Sequence, residues 1–165
     1  MSNDAVAKTS LLTVQNLRKY FPVEKGFLRK VHGFIRAVDG VSFQVYKGET
    51  LGMVGESGCG KTTIGKAILR VFPITDGKIL YNFDGSVLDV SNLSHRELRS
   101  AGFRTRTQMI FQDPIGSLNP RMTVLEIISE PLRASGLYRP GQIKDRVAEL
   151  MDRVGLDLRY MSRYP

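Results

Sequence analysis

The sequence feature that most constrains the fold is GESGCGKTT at residues 55–63, which follows the apolar run TLGMV at 50–54. Residues 61–72 then place apolar side chains at helical spacing. A short apolar run before a glycine-rich turn is typical of a buried parallel strand. The sequence therefore predicts a strand at 50–54, a tight turn and a helix that ends at Pro73.

The turn itself matches the pattern G-x-x-x-x-G-K-[ST] of a phosphate-binding loop, from Gly55 to Thr62. Such a loop wraps its backbone N–H groups around an anion. Only residues without a Cβ can adopt some of the dihedral angles that this requires, which accounts for Gly58 and Gly60 as well as Gly55. The helix that follows directs the positive end of its dipole at the same anion.

The pattern gives each polar side chain of the loop a predicted role. Lys61 brings a charge to the β- and γ-phosphates, Thr62 offers a hydroxyl to Mg²⁺, and Thr63 can donate to the α-phosphate. Cys59, which is the only cysteine of the sequence, is predicted to be a small filler and not a nucleophile. The predicted nucleotide-binding residues of the loop are Gly55, Glu56, Ser57, Gly58, Cys59, Gly60, Lys61, Thr62 and Thr63.

The composition leaves several partners open. The chain has 165 residues, about one domain, and a formal net charge of +8. Its basic residues are scattered, which favours a solvated surface over a face that docks on a partner beside the membrane; a nucleic-acid groove would interleave aromatics with arginines. The sequence has neither a stretch that could cross a bilayer nor a secretory signal, so we expect it in the cytoplasm.

Before the loop, alternating apolar residues at 11–21, 33–40 and 41–48 predict strands of a small antiparallel sheet, punctuated by DG and KG. After the loop helix, residues 77–91 predict a hairpin that turns at DG. Residues 107–113, TQMIFQD, predict a further strand.

Three helices are predicted in the second half of the chain. Residues 94–102 are expected to form a short helix capped by Ser94, with Glu97 at the capping-box position. Thr123 is expected to start a second helix, and residues 140–156 a third that ends at Gly155.

Two stretches carry a resemblance to a known family. Residues 37–63, AVDGVSFQVYKGETLGMVGESGCGKTT, and residues 111–124, FQDPIGSLNPRMTV, resemble the ATP-binding subunits of ABC transporters, most closely the oligopeptide and dipeptide importers. The resemblance implies that Gln112 reaches Mg²⁺ and the water beside the γ-phosphate, and that the residues after it contact the transmembrane permease subunits. It also implies that Phe21 stacks on adenine, with Tyr20 as the neighbour that could replace it.

The fold implied by the resemblance is an α/β P-loop NTPase core with an N-terminal antiparallel β subdomain, incomplete at its C-terminus. Residues 1–165 would be a partial nucleotide-binding domain. About 1–115 would hold the antiparallel region and the ATP-binding core, and about 116–165 the Q-loop and the start of a helical subdomain.

The family hydrolyses ATP with further motifs that this sequence does not contain: an LSGGQ-type signature, an apolar run ending in Asp-Glu, and a switch histidine. We therefore expect a truncated product that binds ATP and turns it over poorly. The strand at 50–54 is also expected to lack neighbours in the sheet, because the family completes the sheet with later strands.

The implied function is that of the ATPase subunit of an importer for peptides or a similar small solute, at the inner face of the cell membrane. Its implied partners are a second ATPase subunit, the permease subunits and, indirectly, a substrate-binding protein. An ABC ATPase that acts on nucleic acid remains an alternative, favoured only by the basic charge. A different P-loop enzyme is another, although the N-K-x-D motif of GTPases is not found.

Overall fold

The structure is a computed structural model that describes residues 9–25, 30–113 and 116–165. The chain divides into two compact units, Met1–Phe103 and Arg104–Pro165. Each unit has its own buried apolar core.

The first unit is built on a four-stranded sheet in which every strand pairs antiparallel to its neighbours, in the order β2-β1-β3-β4. Its strands are β1 (Ser10–Lys25), β2 (Lys30–Tyr46), β3 (Asp76–Phe83) and β4 (Ser86–Asp89). The predicted antiparallel region is confirmed, as is the hairpin turn at DG, where Asp84 and Gly85 both take a positive φ. The predicted break between strands at Gly40 is wrong, because β2 runs through it with a shift of register against β1.

A bulge in β1 decides which side chains face the core. Leu12 and Val14 are buried, but Asn16 takes a φ of 47° and the pairing with β2 shifts there, so that Leu17 and Lys19 become the buried residues. An extra residue in one strand of an antiparallel pair reverses the inward and outward positions after it. The inward positions are therefore even-numbered before the bulge and odd-numbered after it, which buries Lys19.

The helices of the chain are α1 (Lys61–Ile68), α2 (His95–Ser100), α3 (Phe103–Arg106), α4 (Val124–Ser135) and α5 (Ile143–Arg153), with 3₁₀ turns at Pro140–Gln142 and Leu158–Tyr160. Both predicted capping residues, Ser94 and Thr123, accept a hydrogen bond from the backbone of the glutamate three residues on, and both capping boxes are complete. Among the described residues, no helix is both long and apolar enough to cross a bilayer.

Helix α1 is shorter than its apolar pattern predicts. It ends at Ile68, five residues before Pro73, and Arg70 takes a φ of 53° in the turn that follows. The guanidinium of Arg70 is buried and donates to the backbone oxygens of Phe72 and Leu93, at 3.2 and 3.1 Å. These hydrogen bonds stabilise the turn, so a tertiary contact and not proline ends the helix.

Two predicted strands are absent. Residues 50–54 and 107–113, all of which the structure describes, are irregular. Val54 is 95% exposed and Ile110 94% exposed, although each lies in an apolar run. A buried strand requires a hydrogen-bonded neighbour, and none of the described strands pairs with these segments.

The core of the first unit lies between one face of the sheet and helices α1 and α2, with Phe103 packed against it. It consists of Leu12, Val14, Leu17, Val38, Ile64, Ala67, Ile79, Tyr81, Val90, Leu98 and Phe103. The core of the second unit consists of Ile143, Val147 and Met151 on α5, with half-buried side chains of α4 packed against them. The helical spacing predicted for α5 therefore places its apolar face correctly.

The capping box of α4 makes stability depend on pH. The pKa of Glu126 is lowered, first because its carboxylate accepts a hydrogen bond from the Thr123 backbone N–H (2.7 Å) and then from the Thr123 hydroxyl (2.9 Å). A lowered folded-state pKa contributes stability above the unfolded-state pKa, and this contribution is lost as pH falls through the folded-state pKa. We expect the free energy of unfolding to fall below about pH 4.5. In Glu126→Gln, which keeps the capping geometry, this free energy should fall less steeply.

Urea unfolding followed by circular dichroism between about pH 6 and pH 3 measures this difference. Glu130→Gln, on the same helix but outside the capping box, is the matched control. The prediction is contradicted if the free energy of unfolding depends on pH equally in the parent and in Glu126→Gln. It is also contradicted if Glu130→Gln weakens this pH dependence as much as Glu126→Gln does.

Candidate functional site

The glycine-rich loop leads directly into the N-terminus of α1. Gly60 is the N-cap of the helix, with a φ of 98°, and its carbonyl accepts from the Ile64 N–H at 2.9 Å. The first turn of α1 carries no acidic side chain. Because the first N–H groups of a helix lack partners inside it, this end of α1 can bind an anion without competition from a carboxylate.

Glycine is required at the end of the loop for two reasons. Gly60 adopts a backbone conformation that disfavours a Cβ, and so does Gly58, with a φ of 83°. In addition, an added Cβ at Gly60 would lie far inside van der Waals contact of the Ala37 carbonyl oxygen on β2. The sequence-based reason for the glycines is therefore confirmed at these two positions, and the approach of β2 adds a constraint that the motif does not reveal.

Lys61 folds back across the loop that precedes it. Its Nζ donates to the carbonyl oxygens of Gly55 and Glu56, at 2.7 Å each, and lies 3.5 Å from the Cys59 Sγ. The side chain is half-buried. This arrangement keeps an ammonium group at the mouth of the loop, where a phosphate oxygen could replace the carbonyls as its acceptor.

The remaining loop residues are open to solvent. Glu56, Ser57, Cys59 and Thr62 are exposed, and Thr63 is half-buried. The Cys59 sulfur also lies against Gly55, where an added Cβ would be 2.7 Å from it. A small side chain at position 59 thus fits beside Gly55, and the filler role of Cys59 stays a prediction.

Phe21 lies on β1 opposite Ile35 of β2, and its ring is half-buried. It meets the ring of Phe72, which follows α1, edge to face with centroids 5.6 Å apart. The Nζ of Lys19 lies 4.7 Å from the centroid of the same ring. Phe21 therefore sits beside the segment that leaves the loop helix, in the same unit as the loop.

Tyr20, the other candidate for the adenine contact, is engaged elsewhere. Its hydroxyl donates to Asp39 at 2.5 Å, and the guanidinium of Arg36 lies 5.6 Å from the centroid of its ring. The pKa of Tyr20 is raised, chiefly by this hydrogen bond to a carboxylate. Because neighbouring residues of a strand point to opposite faces, Tyr20 and Phe21 do not present their rings to the same side.

Gln112 lies in the second unit, in the irregular segment where a strand was predicted, and is exposed. The next residue, Asp113, accepts a hydrogen bond from the Gly116 backbone N–H at 2.9 Å. Pro114 and Ile115, inside the quoted Q-loop stretch, lie outside the described residues. The metal-binding role of Gln112 stays a prediction.

The scattered basic residues of the sequence favour a solvated surface, but the structure shows that one of them, Lys19, is buried. It is 9% exposed, and its Nζ contacts the candidate adenine-binding ring. The available signal was the period of two through Leu17, Lys19 and Phe21, which places all three on one face of a strand.

Comparison with known proteins identifies the architecture. The family model for ABC transporters matches residues 38–164, which is most of the chain and includes the whole loop. The chain belongs to the ABC transporter family. The expected α/β class with an antiparallel β region is confirmed with it.

The curated relatives of this ABC chain include peptide-transport proteins. It is 45% identical over 161 residues to the oligopeptide transport ATP-binding protein AppF of Bacillus subtilis, covering 98% of this chain and 47% of AppF. It is 43% identical over 161 residues to OppF of Salmonella typhimurium, covering 94% and 46% of the two chains. It is 50% identical over 136 residues to the dipeptide transport protein DppF of Lactococcus lactis, covering 81% and 42%. The chain thus spans less than half the length of these relatives.

Solved structures agree on the fold. The chain superposes on the ATP-binding cassette MJ0796, in a dimeric post-hydrolysis state bound to ADP and Pi, with a TM-score of 0.69 and 24% identity. A second dimeric structure of MJ0796, a bacterial ABC transporter cassette, gives a TM-score of 0.68 and 23% identity. Both comparisons cover 94% of this chain and 62% of the other.

The close approach of β2 to the loop predicts a large cost for adding one methyl group. We expect Gly60→Ala to destabilise the first unit by at least about 2 kcal/mol, because the new Cβ both opposes the left-handed backbone and meets the Ala37 carbonyl. Chemical unfolding measures the loss.

Gly52→Ala is the matched control, since nothing lies within 4 Å of a Cβ added there. A Gly60→Ala variant as stable as Gly52→Ala would show that β2 does not constrain the loop.

Proposed function

We propose that this chain is the ATP-binding part of an ABC transporter subunit. The observation that carries the proposal is the combined geometry of the loop and α1. One segment contains two glycines in left-handed conformations, a lysine folded over the loop and a helix N-terminus without acidic side chains. Each of these features favours a polyphosphate over a neutral ligand.

The residues present fit Mg²⁺-ATP. Backbone N–H groups of residues 55–63 would bind the phosphates, and the Lys61 ammonium would reach the β- and γ-phosphates. Among the described residues, no group of three or more His, Cys, Asp or Glu could hold a metal ion. Mg²⁺ commonly binds through few protein ligands together with substrate phosphates, so the Thr62 hydroxyl would be its ligand in the first unit, and the family resemblance alone adds Gln112.

The base would lie on Phe21. Its ring belongs to the same unit as the loop and is half-buried, which leaves part of its surface for a ligand. An aromatic face offers adenine a large contact area without reading its hydrogen-bonding edge. The engagement of Tyr20 with Asp39 and Arg36 supports Phe21 as the stacking residue.

The complete protein would be an ATPase. When bound, Mg²⁺-ATP supplies the transferable phosphoryl group, and Gln112 would orient a water beside it through its amide. In this family that step also needs the signature, the Asp-Glu pair and the switch histidine, motifs that are not found in these 165 residues. We therefore expect this chain by itself to bind ATP and to hydrolyse it poorly.

We further propose that the protein powers the import of peptides or a similar small solute. The names of AppF, OppF and DppF support this substrate class. The partners would be a second ATPase subunit, permease subunits contacted by the residues after Gln112, and indirectly a substrate-binding protein. The subunit would lie at the cytoplasmic face of the membrane. The relatives' names give no support to the nucleic-acid alternative.

The phosphate-binding assignment predicts the effect of removing one charge. We expect Lys61→Ala to abolish the thermal stabilisation of the chain by Mg²⁺-ATP, because the loop then loses its ammonium group. Differential scanning fluorimetry with and without nucleotide measures it. Lys66→Ala, on the same helix, should keep the stabilisation; if Lys61→Ala keeps it as well, the assignment is wrong.

The adenine assignment predicts a selective loss. We expect Phe21→Ala to weaken ATP binding by about tenfold and to leave inorganic tripolyphosphate within about twofold, since only ATP carries a base to stack. Isothermal titration calorimetry gives both affinities. Phe34→Ala, an exposed phenylalanine of β2, is the control; equal losses for the two ligands in Phe21→Ala would remove the stacking role.

A further inference from the structure

The segment that leaves α1 is tied to the part of β1 that carries Phe21. The Thr75 backbone N–H donates to the Arg18 carbonyl at 2.9 Å, and the Thr75 hydroxyl accepts from the Tyr20 N–H at 2.8 Å. The Arg18 guanidinium also donates to Asp76 at 2.9 Å. These contacts fix the backbone of the two segments, but they do not touch the Phe21 ring.

Lys19 connects the ring to the same segment. Its Nζ lies 4.7 Å from the centroid of Phe21 and 5.0 Å from that of Phe72, and it donates to the Pro73 carbonyl at 2.8 Å. An ammonium group near two aromatic rings is attracted to their negative faces. The Pro73 carbonyl provides the hydrogen bond that a buried cation needs.

A cation in this position is costly to bury. Lys19 is 9% exposed, and its pKa is lowered, first by burial and then by the nearby charge of Arg70. A methionine or leucine of similar size would pack against the rings without this cost. The position therefore calls for an explanation beyond packing, and the neighbouring Phe21 offers one.

We propose that Lys19 is a positioning residue for nucleotide binding: its ammonium group holds the Phe21 ring against the segment after α1, at a set place relative to the phosphate loop. The inference rests on the proposed function, in which Phe21 stacks on adenine. The phosphates bind at the start of α1 and Phe72 follows its end, so the helix acts as a rigid spacer between phosphate loop and ring. Lys19 makes this spacing independent of the ligand, which lowers the cost of ordering the ring on binding.

The test measures ATP and tripolyphosphate binding to the full chain with Lys19→Met, which keeps an unbranched apolar stem but removes the ammonium group. We expect ATP to bind about fivefold more weakly, with tripolyphosphate within about twofold of the parent. Lys19→Arg keeps a cation over the rings and should restore ATP affinity. Lys78→Met, an exposed lysine on β3, is the matched control.

A double-variant cycle separates positioning from general structure. If Lys19 acts through the ring, Lys19→Met should have no further effect on ATP in a Phe21→Ala background. An additive loss there would overturn the inference. So would an equal weakening of ATP and tripolyphosphate in Lys19→Met, or an ATP affinity within about twofold of the parent.

The controls keep the two proposals distinguishable. If Phe21→Ala shows the selective loss and Lys19→Met does not, the inference on Lys19 fails and the adenine assignment stands. If Lys61→Ala still binds tripolyphosphate, the proposed function fails on its own evidence. Should Lys19→Met not fold, as judged by circular dichroism, Lys19→Gln replaces it with the same expected and contradicting results.

Discussion

The contact on which the site depends is the approach of β2 to the phosphate loop, where the Ala37 carbonyl leaves no room for a side chain at Gly60. A loop of glycines alone would sample many conformations, and ordering it on a ligand would cost entropy. Packing one strand of the sheet against the end of the loop removes part of that freedom in advance. The antiparallel sheet is therefore part of the candidate binding site, although no residue of the glycine-rich loop belongs to it.

The same sheet brings the aromatic candidate to the loop helix. The bulge at Asn16 exchanges the two faces of β1, so that Leu17 enters the core and Lys19 and Phe21 contact the segment after α1. Without the extra residue, Tyr20 would occupy the inward face instead. One irregular residue thus selects which of two adjacent rings faces the segment after α1, where adenine binding is proposed, and it explains the burial of a lysine.

The regions that were predicted wrongly share a physical cause. Residues 50–54 and 107–113 have the apolar character of buried strands, yet a strand exists only where another strand completes its hydrogen bonds. The relatives that match this chain are about twice its length, and none of the described strands pairs with either segment. Their apolar side chains are accordingly exposed, as the values for Val54 and Ile110 show.

The sequence by itself determined what depends on neighbours within a few residues. These features are the glycines and lysine of the phosphate loop, the capping boxes at Ser94 and Thr123, and the turn at Asp84 and Gly85, because short-range sterics and hydrogen bonds specify them. Only the tertiary structure decided the end of α1 at Ile68, the continuity of β2 through Gly40 and the burial of Lys19. Each of these depends on groups far away in the chain, such as the Leu93 carbonyl that accepts from Arg70. A local sequence pattern does not show which distant groups folding brings into contact.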